Sequence, residues 1–335
     1  MPGSSSWNIE IRNSRVDDTP WRIRVHELKG RAPGPATSII ACIVGDKPLG
    51  ALTLHALRAR LEQRGDLRGT VLLVPGANPV GLQIGARPNP DGLELNRRFP
   101  GKPHGFLTDQ LCWHLLRELL ARSDCIVDLH SGTAWRGTHF AYDYGNLELT
   151  ASFGYVPVMV NRHYPGQIGP AAVAAGAQAC LIEYGGGEVD GMDLAIEGCL
   201  NLLRYRGHLD DAPTGPDKVA VLDQVKNFNA STDGAFCSPY SPRDIGKPVT
   251  PGVIGWMTNV ITNERIEEFV VEGPGETAGL ATGFDAFGPE PVKPFVVEGP
   301  PLLMLAQYTP FMVRPGALLL MVGWPDRMID TPRRT

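Results

Sequence analysis

What this chain lacks narrows its roles before any motif is read. No apolar run approaches the ~20 residues that cross a bilayer. The opening stretch, MPGSSSWNIEIRNS, has neither the basic end nor the apolar segment of a signal peptide, so a cytoplasmic protein without a membrane partner is expected. Basic tracts and arginines interleaved with aromatics are missing as well. With 31 Lys and Arg against 36 Asp and Glu, the formal charge of −5 argues against a nucleic-acid partner. The six cysteines, Cys42, Cys112, Cys125, Cys180, Cys199 and Cys237, are scattered without a CxxC pair. That excludes a metal knuckle and argues against a disulfide scaffold; most sit in apolar runs, where a reduced thiol acts as a small hydrophobe. The glycines of GQIGPAAVAAGAQA (166–179) lack the spacing of a dinucleotide or phosphate loop.

What is present reads as a globular protein, with 43% hydrophobic and 20% charged residues among 335, long enough for two domains. Residues 22–28 (RIRVHEL) alternate like a half-buried strand, which makes His26 structural or solvent-facing rather than a ligand. A continuous apolar run at 37–44 predicts a buried strand, 69–79 a second strand ending in a turn, 125–130 another, and 154–160 a further one, with Pro157 favouring an edge or bulge. Between them, Leu49, Leu52 or Thr53, Ala56, and Leu57 or Leu61 recur at helical spacing after Pro48. Leu111, Leu115 and Leu119 mark a second helix. An alanine-rich helix near 168–178 precedes CLIEYGGG (180–187), and Ile196, Leu200 and Leu203 line a helix that ends before Gly207. Alternating strands and helices predict an α/β sheet covered on both faces. From the proline-bearing linker at 210–218 onward, short apolar runs separated by Gly and Pro predict a small β domain, dividing the chain into 1–212 and 213–335.

Polar residues gather at the strand ends, where the loops of open α/β sheets converge on a pocket. Asp46 and Lys47 follow the 37–44 strand. In DGLELNRRFPG (91–101), Asn96 offers an amide that donates and accepts and Arg97 a fixed fork suited to a carboxylate or oxyanion; the same stretch also reads as a capping or surface turn. Strand alternation turns Asp128 and His130 to one side, where the imidazole could bind metal, move protons or cap a turn. Glu183 ends an apolar strand beside three glycines, too costly to bury unpaired, so it faces a pocket or a cation. His139, His163, Tyr142, Tyr144 and Tyr164 lie in or near these loops, as substrate contacts or as framework.

In this order the clusters resemble the succinylglutamate desuccinylase/aspartoacylase family, similar in fold to zinc carboxypeptidases. The resemblance covers most of 20–210, and the later region, including VRPGALL (313–319), is similar to the family's smaller C-terminal β domain. It implies a zinc-carboxypeptidase-like α/β fold, a mixed sheet flanked by helices. The family motif D-L-N-R-x-F-P-G is matched by Glu94 through Gly101, which implies that Asn96 and Arg97 contact substrate, with Arg87 upstream helping to bind it or to hold the oxyanion. A D-x-H-x-G motif is matched by Asp128 to Gly132, making His130 the third family zinc ligand, and the family's catalytic glutamate falls on Glu183. The first motif, G-x-H-G-D-E, departs: its histidine and glutamate ligands are Val44 and Lys47.

Val44 has no electron pair to donate and an ammonium repels zinc, so no metal or other cofactor is expected. A rearranged site recruiting Asp46, Cys42 or Glu183 is the alternative. Lys47 is expected either to enter the vacated position and pair with Glu183 or, in a decayed site, to point to solvent. The functional expectation is a divergent small-molecule acylase or amidohydrolase acting on a carboxylate-bearing, N-acyl amino acid-like substrate. Glu183 or His130 would act as base, Lys47 as electrostatic catalyst, and Arg87, Asn96 and Arg97 would hold the substrate, in hydrolysis, acyl transfer or elimination. The other outcome is a non-catalytic binding or sensor protein for a small carboxylate. Small faces on the alanine-rich helix could also serve a homo-oligomer.

Overall fold

The computed structural model describes residues 2–12, 17–160, 163–186, 191–272 and 300–333. The chain opens with strands β1 (Gly3–Ile11), β2 (Trp21–Lys29) and β3 (Ala32–Ala41), then α1 (Leu49–Glu62), β4 (Arg68–Val74), α2 (Pro79–Ile84) and α3 (Leu107–Leu120). Next come β5 (Cys125–Ser131), β6 (Arg136–Asp143), α4 (Leu147–Ala151), β7 (Val158–Met159), α5 (Ile168–Ala174), β8 (Gln178–Gly185) and α6 (Met192–Arg206). Among the described residues, the elements that follow are strands apart from one short 3-10 turn: β9 (Lys218–Asn229), β10 (Gly234–Cys237), β11 (Gly252–Thr258), β12 (Arg265–Val271), β13 (Leu302–Gln307), β14 (Phe311–Val313) and β15 (Leu318–Asp330).

Eleven of these strands, among the described residues, form one mixed sheet in the order β1-β2-β4-β3-β5-β8-β6-β13-β15-β9-β7. Its centre, β4-β3-β5-β8, is parallel, and β5 is buried along its whole length. Both faces are therefore covered, as parallel strands require. Alternation separates two cores. Ile39, Ala41, Val127, Leu129 and Ile182 pack on the side of α1 and α6, whereas Ile40, Leu72, Val74 and Ile126 pack with Leu111, Leu115 and Leu119 of α3. Asp128 and His130 share the parity of Ile126 and so lie on the α3 side.

The α/β expectation holds, with a separate four-stranded sheet, β12-β11-β10-β14, packed around Phe236, Phe269 and Phe311. The residues after 212 do more than build that small sheet. Strands β13, β15 and β9 extend the central one through antiparallel pairing of Leu305 with Thr138, and β7 bridges back from β9 to β6.

Three local differences have physical reasons. The α1 core face is Gly50, Thr53, Leu54, Leu57 and Leu61, while Leu52 is exposed. Gly50 turns inward because a Cβ there would meet the Ala41 side chain at 2.8 Å, and this close approach rotates the helix by one residue. The strand expected over 154–160 shrinks to Val158–Met159, since Gly154 is left-handed (φ +83°) and Pro157 has no N–H to donate. The alanine-rich helix stops at Ala174 before the left-handed Gly176 (φ +90°), with Ala172 buried against the α3 side of the sheet.

His208, fully buried after α6, ties α6 to two strands: one ring nitrogen meets Thr37 Oγ1 and the other the Arg68 carbonyl, each at 2.8 Å. The carbonyl can only accept, so Nδ1 carries the proton and Nε2 accepts from Thr37. Burial pushes the imidazole down to about 4, the Arg68 carbonyl and Asp124 opposing and the Arg206 charge assisting. A neutral native histidine with a lowered pKa leaves stability intact above the unfolded value of ~6.5 and withdraws it as pH falls toward 4, by about 3 kcal/mol in full. Thermal unfolding between pH 7.5 and 4.5 should show this loss, and His208→Gln should flatten that part of the profile while lowering the melting temperature at pH 7.5.

Candidate functional site

The site is built where β3, β5 and β8 end. β3 stops at Ala41, and Cys42 enters a left-handed conformation (φ +57°) that swings residues 43–47 over the sheet edge. The amide N–H groups of Ala77 and Asn78 donate to the carbonyls of Ala41 and Cys42, and the Asn78 side chain donates to that of Ile43. Gly45 is obligatory here: a Cβ would stand 2.1 Å from the Gly81 backbone. Fixed in this way, the turn buries Val44 in the apolar cluster of Val80, Leu95 and Phe99 and directs Lys47 inward, leaving its side chain only 4% exposed.

The ammonium of Lys47 lies 3.7 Å from Glu183 Oε1. Parallel register sets Glu183 beside His130, whose Nδ1 is 3.7 Å from the same oxygen. His130 Nε2 lies 2.9 Å from Asp128 Oδ2 and 3.3 Å from the Asn96 amide nitrogen. Asn96 is oriented by the Ile168 N–H, which donates to its oxygen at 3.2 Å. The Asp128 carboxylate only accepts, so Nε2 carries the proton and donates to it, which leaves the Nδ1 lone pair facing the centre. Burial pushes the Glu183 carboxyl up, but Lys47, His130 and Arg136 outweigh it and hold the group below the usual carboxylate range. Burial, with Arg136 and Arg87 nearby, lowers the Lys47 ammonium against the pull of Glu183 and Asp46.

Arg87 and Arg97 meet on Glu94. Arg87 donates through Nε and Nη2 to the two carboxylate oxygens, at 3.0 and 2.8 Å, a bidentate fork. Arg97 Nη1 is 3.4 Å from Glu94 Oε1 and donates to the Asn96 carbonyl at 2.7 Å, while its guanidinium stacks 4.5 Å from the Tyr164 ring centre. The structure thus brings Lys47, Glu183, His130 and Asn96 into one cluster and gathers Arg87 and Arg97 around an internal carboxylate. Tyr142 and Tyr144 back the same face; the Tyr144 hydroxyl donates to Gln167, and its ring meets His163 edge-on. His139 has the opposite parity, packs near Gly246, and is pushed down to about 4 by burial.

The sequence reading passed over Arg136. It begins β6, where Arg136, Thr138, Phe140 and Tyr142 alternate onto the Glu183 side, Phe140 standing opposite Glu183. That two-residue period was the available signal. Buried atoms without a hydrogen-bond partner among the described residues include Arg136 Nε, Asp46 Oδ1, Glu183 Oε2 and Asp128 Oδ1. Such a concentration of unsatisfied groups is the mark of a ligand pocket rather than of core. By contrast, a groove of about 530 Å³ beside α6 has its charges paired, Arg204 with Asp211 at 2.8 Å among them.

The donor set does not fit zinc. Val44 belongs to the core, Lys47 places a cation beside the remaining imidazole and carboxylate, and the described residues contain no group of three His, Cys, Asp or Glu able to hold a metal. Nor does Cys42 replace a ligand: its thiol donates to the Lys47 carbonyl at 3.2 Å and is pushed up to about 11 by burial. The ammonium is therefore the fixed countercharge of Glu183. Replacing it in Lys47→Met should cost ~3–5 kcal/mol, the penalty for breaking a buried pair. Urea unfolding should show that loss and its partial recovery in Lys47→Met/Glu183→Gln, where no carboxylate is left stranded.

Comparison with known proteins identifies the family and the fold. The model of the succinylglutamate desuccinylase/aspartoacylase catalytic domain matches residues 33–205, more than half of the chain. The N-alpha-acetyl-L-2,4-diaminobutyric acid deacetylase of Halomonas elongata is 38% identical over 120 residues, 35% of this chain and 34% of that protein, so the match spans about a third of the curated relative. Among solved structures, an aspartoacylase family protein from Mesorhizobium loti superimposes with a TM-score of 0.74 at 18% identity, covering 97% of this chain and 96% of that one. The product-bound ectoine utilisation protein EutE (DoeB) from Ruegeria pomeroyi gives 0.75 at 21% identity, with 96% of each chain covered. These likenesses confirm the fold; the matched motifs and the family model together make the chain a member of the succinylglutamate desuccinylase/aspartoacylase family.

Proposed function

We propose that this protein is a divergent small-molecule acylase that acts on a carboxylate-bearing, N-acyl amino acid-like substrate without the usual catalytic zinc. The observation that carries the reading is the Lys47 ammonium held 3.7 Å from Glu183, with His130 at the same distance on its other side. His130 acts as the base: Asp128 holds its Nε2 proton, so Nδ1 is free to take a proton from water. Glu183, kept ionised, is the weaker base and stabilises the imidazolium that forms. Lys47 donates to the oxyanion that develops as water adds to the acyl carbon; collapse then expels the leaving group, which takes the proton back from His130. Asn96, Arg87 and Arg97 line the substrate side.

An ammonium carries one charge and cannot lower the pKa of water as a divalent ion does, so the best substrates are esters, thioesters or other activated acyl groups. A binding-only protein is the second reading, favoured by the same loss of zinc donors at Val44 and Lys47; it would be stabilised by N-acyl amino acids and release no product.

Assays on N-acyl amino acids and their activated esters, run with a chelator, test the proposal. Turnover should survive the chelator, and His130→Asn should lower kcat by about 100-fold or more. The purified protein should contain far less than one equivalent of zinc, whereas Val44→His/Lys47→Glu, which restores the family ligand set, should acquire about one. Stoichiometric zinc in the unmodified protein, or loss of turnover on chelation, would overturn the metal-free mechanism.

A further inference from the structure

Among the described residues of the pocket, one cation makes no ion pair. Lys47 faces Glu183, Arg87 and Arg97 share Glu94, and Asp128 holds His130. Arg136 has no ion pair and no side-chain hydrogen bond among the described residues, and its Nε is sealed from solvent with no partner. Leaving a guanidinium nitrogen dry and unbonded carries the full desolvation penalty of that group, so its retention needs a reason. Its charge bears on Lys47 and Glu183, and it feels Asp46 in turn.

The backbone around Arg136 is rigidly specified. Its N–H donates to the Thr133 carbonyl, closing a tight turn directly after Gly132. A Cβ on Gly132 would lie 1.8 Å from the Arg136 carbonyl oxygen, and one on Gly186, itself left-handed at φ +90°, would lie 2.5 Å from it. Two glycines from different strand ends thus admit this backbone and no bulkier arrangement. The pairing of Thr138 with Gly185 then fixes Arg136 two residues farther along on the Glu183 face.

We propose that Arg136 is the specificity-determining residue that receives the ligand's carboxylate, as a bidentate guanidinium–carboxylate pair. The inference rests on the reading that this pocket takes a carboxylate-bearing ligand, but moves recognition away from Arg87 and Arg97. The Arg87 fork is already occupied by Glu94 at 3.0 and 2.8 Å, so a ligand carboxylate there must displace an internal one; Arg97 has one nitrogen 3.4 Å from the same carboxylate, committed to the Asn96 carbonyl, and its guanidinium stacked on Tyr164. At Arg136 it displaces nothing and supplies the missing acceptor. The unpaired oxygen of Asp46 lies in the same electrostatic environment and suits an N–H donor on the ligand.

Calorimetric and thermal-shift titrations of the full chain at constant ionic strength test this, using N-acetylglycine, its neutral primary amide and sodium sulfate. The wild-type protein should bind the acid at least about tenfold more tightly than the amide. Arg136→Gln should bring the acid down to the level of the amide and leave the amide unchanged, and Arg136→Lys should recover part of the difference. Without ligand, Arg136→Gln should melt no lower than wild type, because the desolvation of its charge, which outweighs the attraction of Glu183 and Asp46, is removed with it. Sulfate that binds as tightly as the acid would mark a general anion site and overturn the carboxylate assignment. So would unchanged acid binding in Arg136→Gln, equal losses for acid and amide, or a wild-type protein that binds none of the probes. Turnover with an unaltered KM in Arg136→Gln would defeat this inference alone. Arg136-dependent binding of the acid without any turnover would defeat the proposed catalysis and leave the inference standing.

Discussion

A carboxylate sealed at the end of a buried strand is tolerable only with a countercharge, and the structure of this pocket follows from how that charge is supplied. Here it is an ammonium on the chain itself, Lys47, 3.7 Å from Glu183. An ion can leave, whereas a lysine is delivered with the fold. Assembly of the site therefore depends on the 42–47 turn, on the glycine contact between Gly45 and Gly81 that lets α2 abut it, and on the Asn78 hydrogen bond that secures it. Breaking the pair leaves an uncompensated buried charge, so the same contact couples site geometry to stability.

The exchange also changes what the pocket can do. A divalent metal polarises a carbonyl and generates hydroxide near neutral pH; an ammonium offers one charge and a few donors. Chemistry then falls on the Asp128–His130 pair and on the reactivity of the acyl group. The surrounding charges are largely engaged with one another: Glu94 bridges Arg87 and Arg97, Glu183 faces Lys47, and Arg136, which makes no ion pair among the described residues, is left to set what enters. Recognition and chemistry thus occupy neighbouring strand ends, β6 on one side and β5 and β8 on the other.

Much of this architecture was legible because parallel strands buried on both faces leave continuous apolar runs, as at Ile39–Ile40, Ile126–Val127 and Leu181–Ile182. Segments whose fate depends on a partner were not. β1 is serine-rich and becomes a strand by pairing Gly3–Ile11 with Trp21–Lys29, and β6 carries mixed Arg, Gly, Thr and His that acquire meaning only between β8 and β13. The return of β9, β13 and β15 to the central sheet is non-local pairing, which no window of sequence displays.

At the site, residue chemistry established that Val44 cannot bind a metal and that Asn96, Arg97, His130 and Glu183 are strand-end polar groups needing partners, and the family resemblance added that a lysine stands where the family has a carboxylate. Tertiary structure decided the partners: Lys47 turned inward rather than to solvent, Glu94 rather than an open space between Arg87 and Arg97, and, among the described residues, no ion pair for Arg136. The division has a physical cause. Donor atoms, charges and strand periodicity belong to individual residues and their neighbours along the chain, whereas which charge meets which is fixed by strand register and backbone contact between segments far apart in sequence.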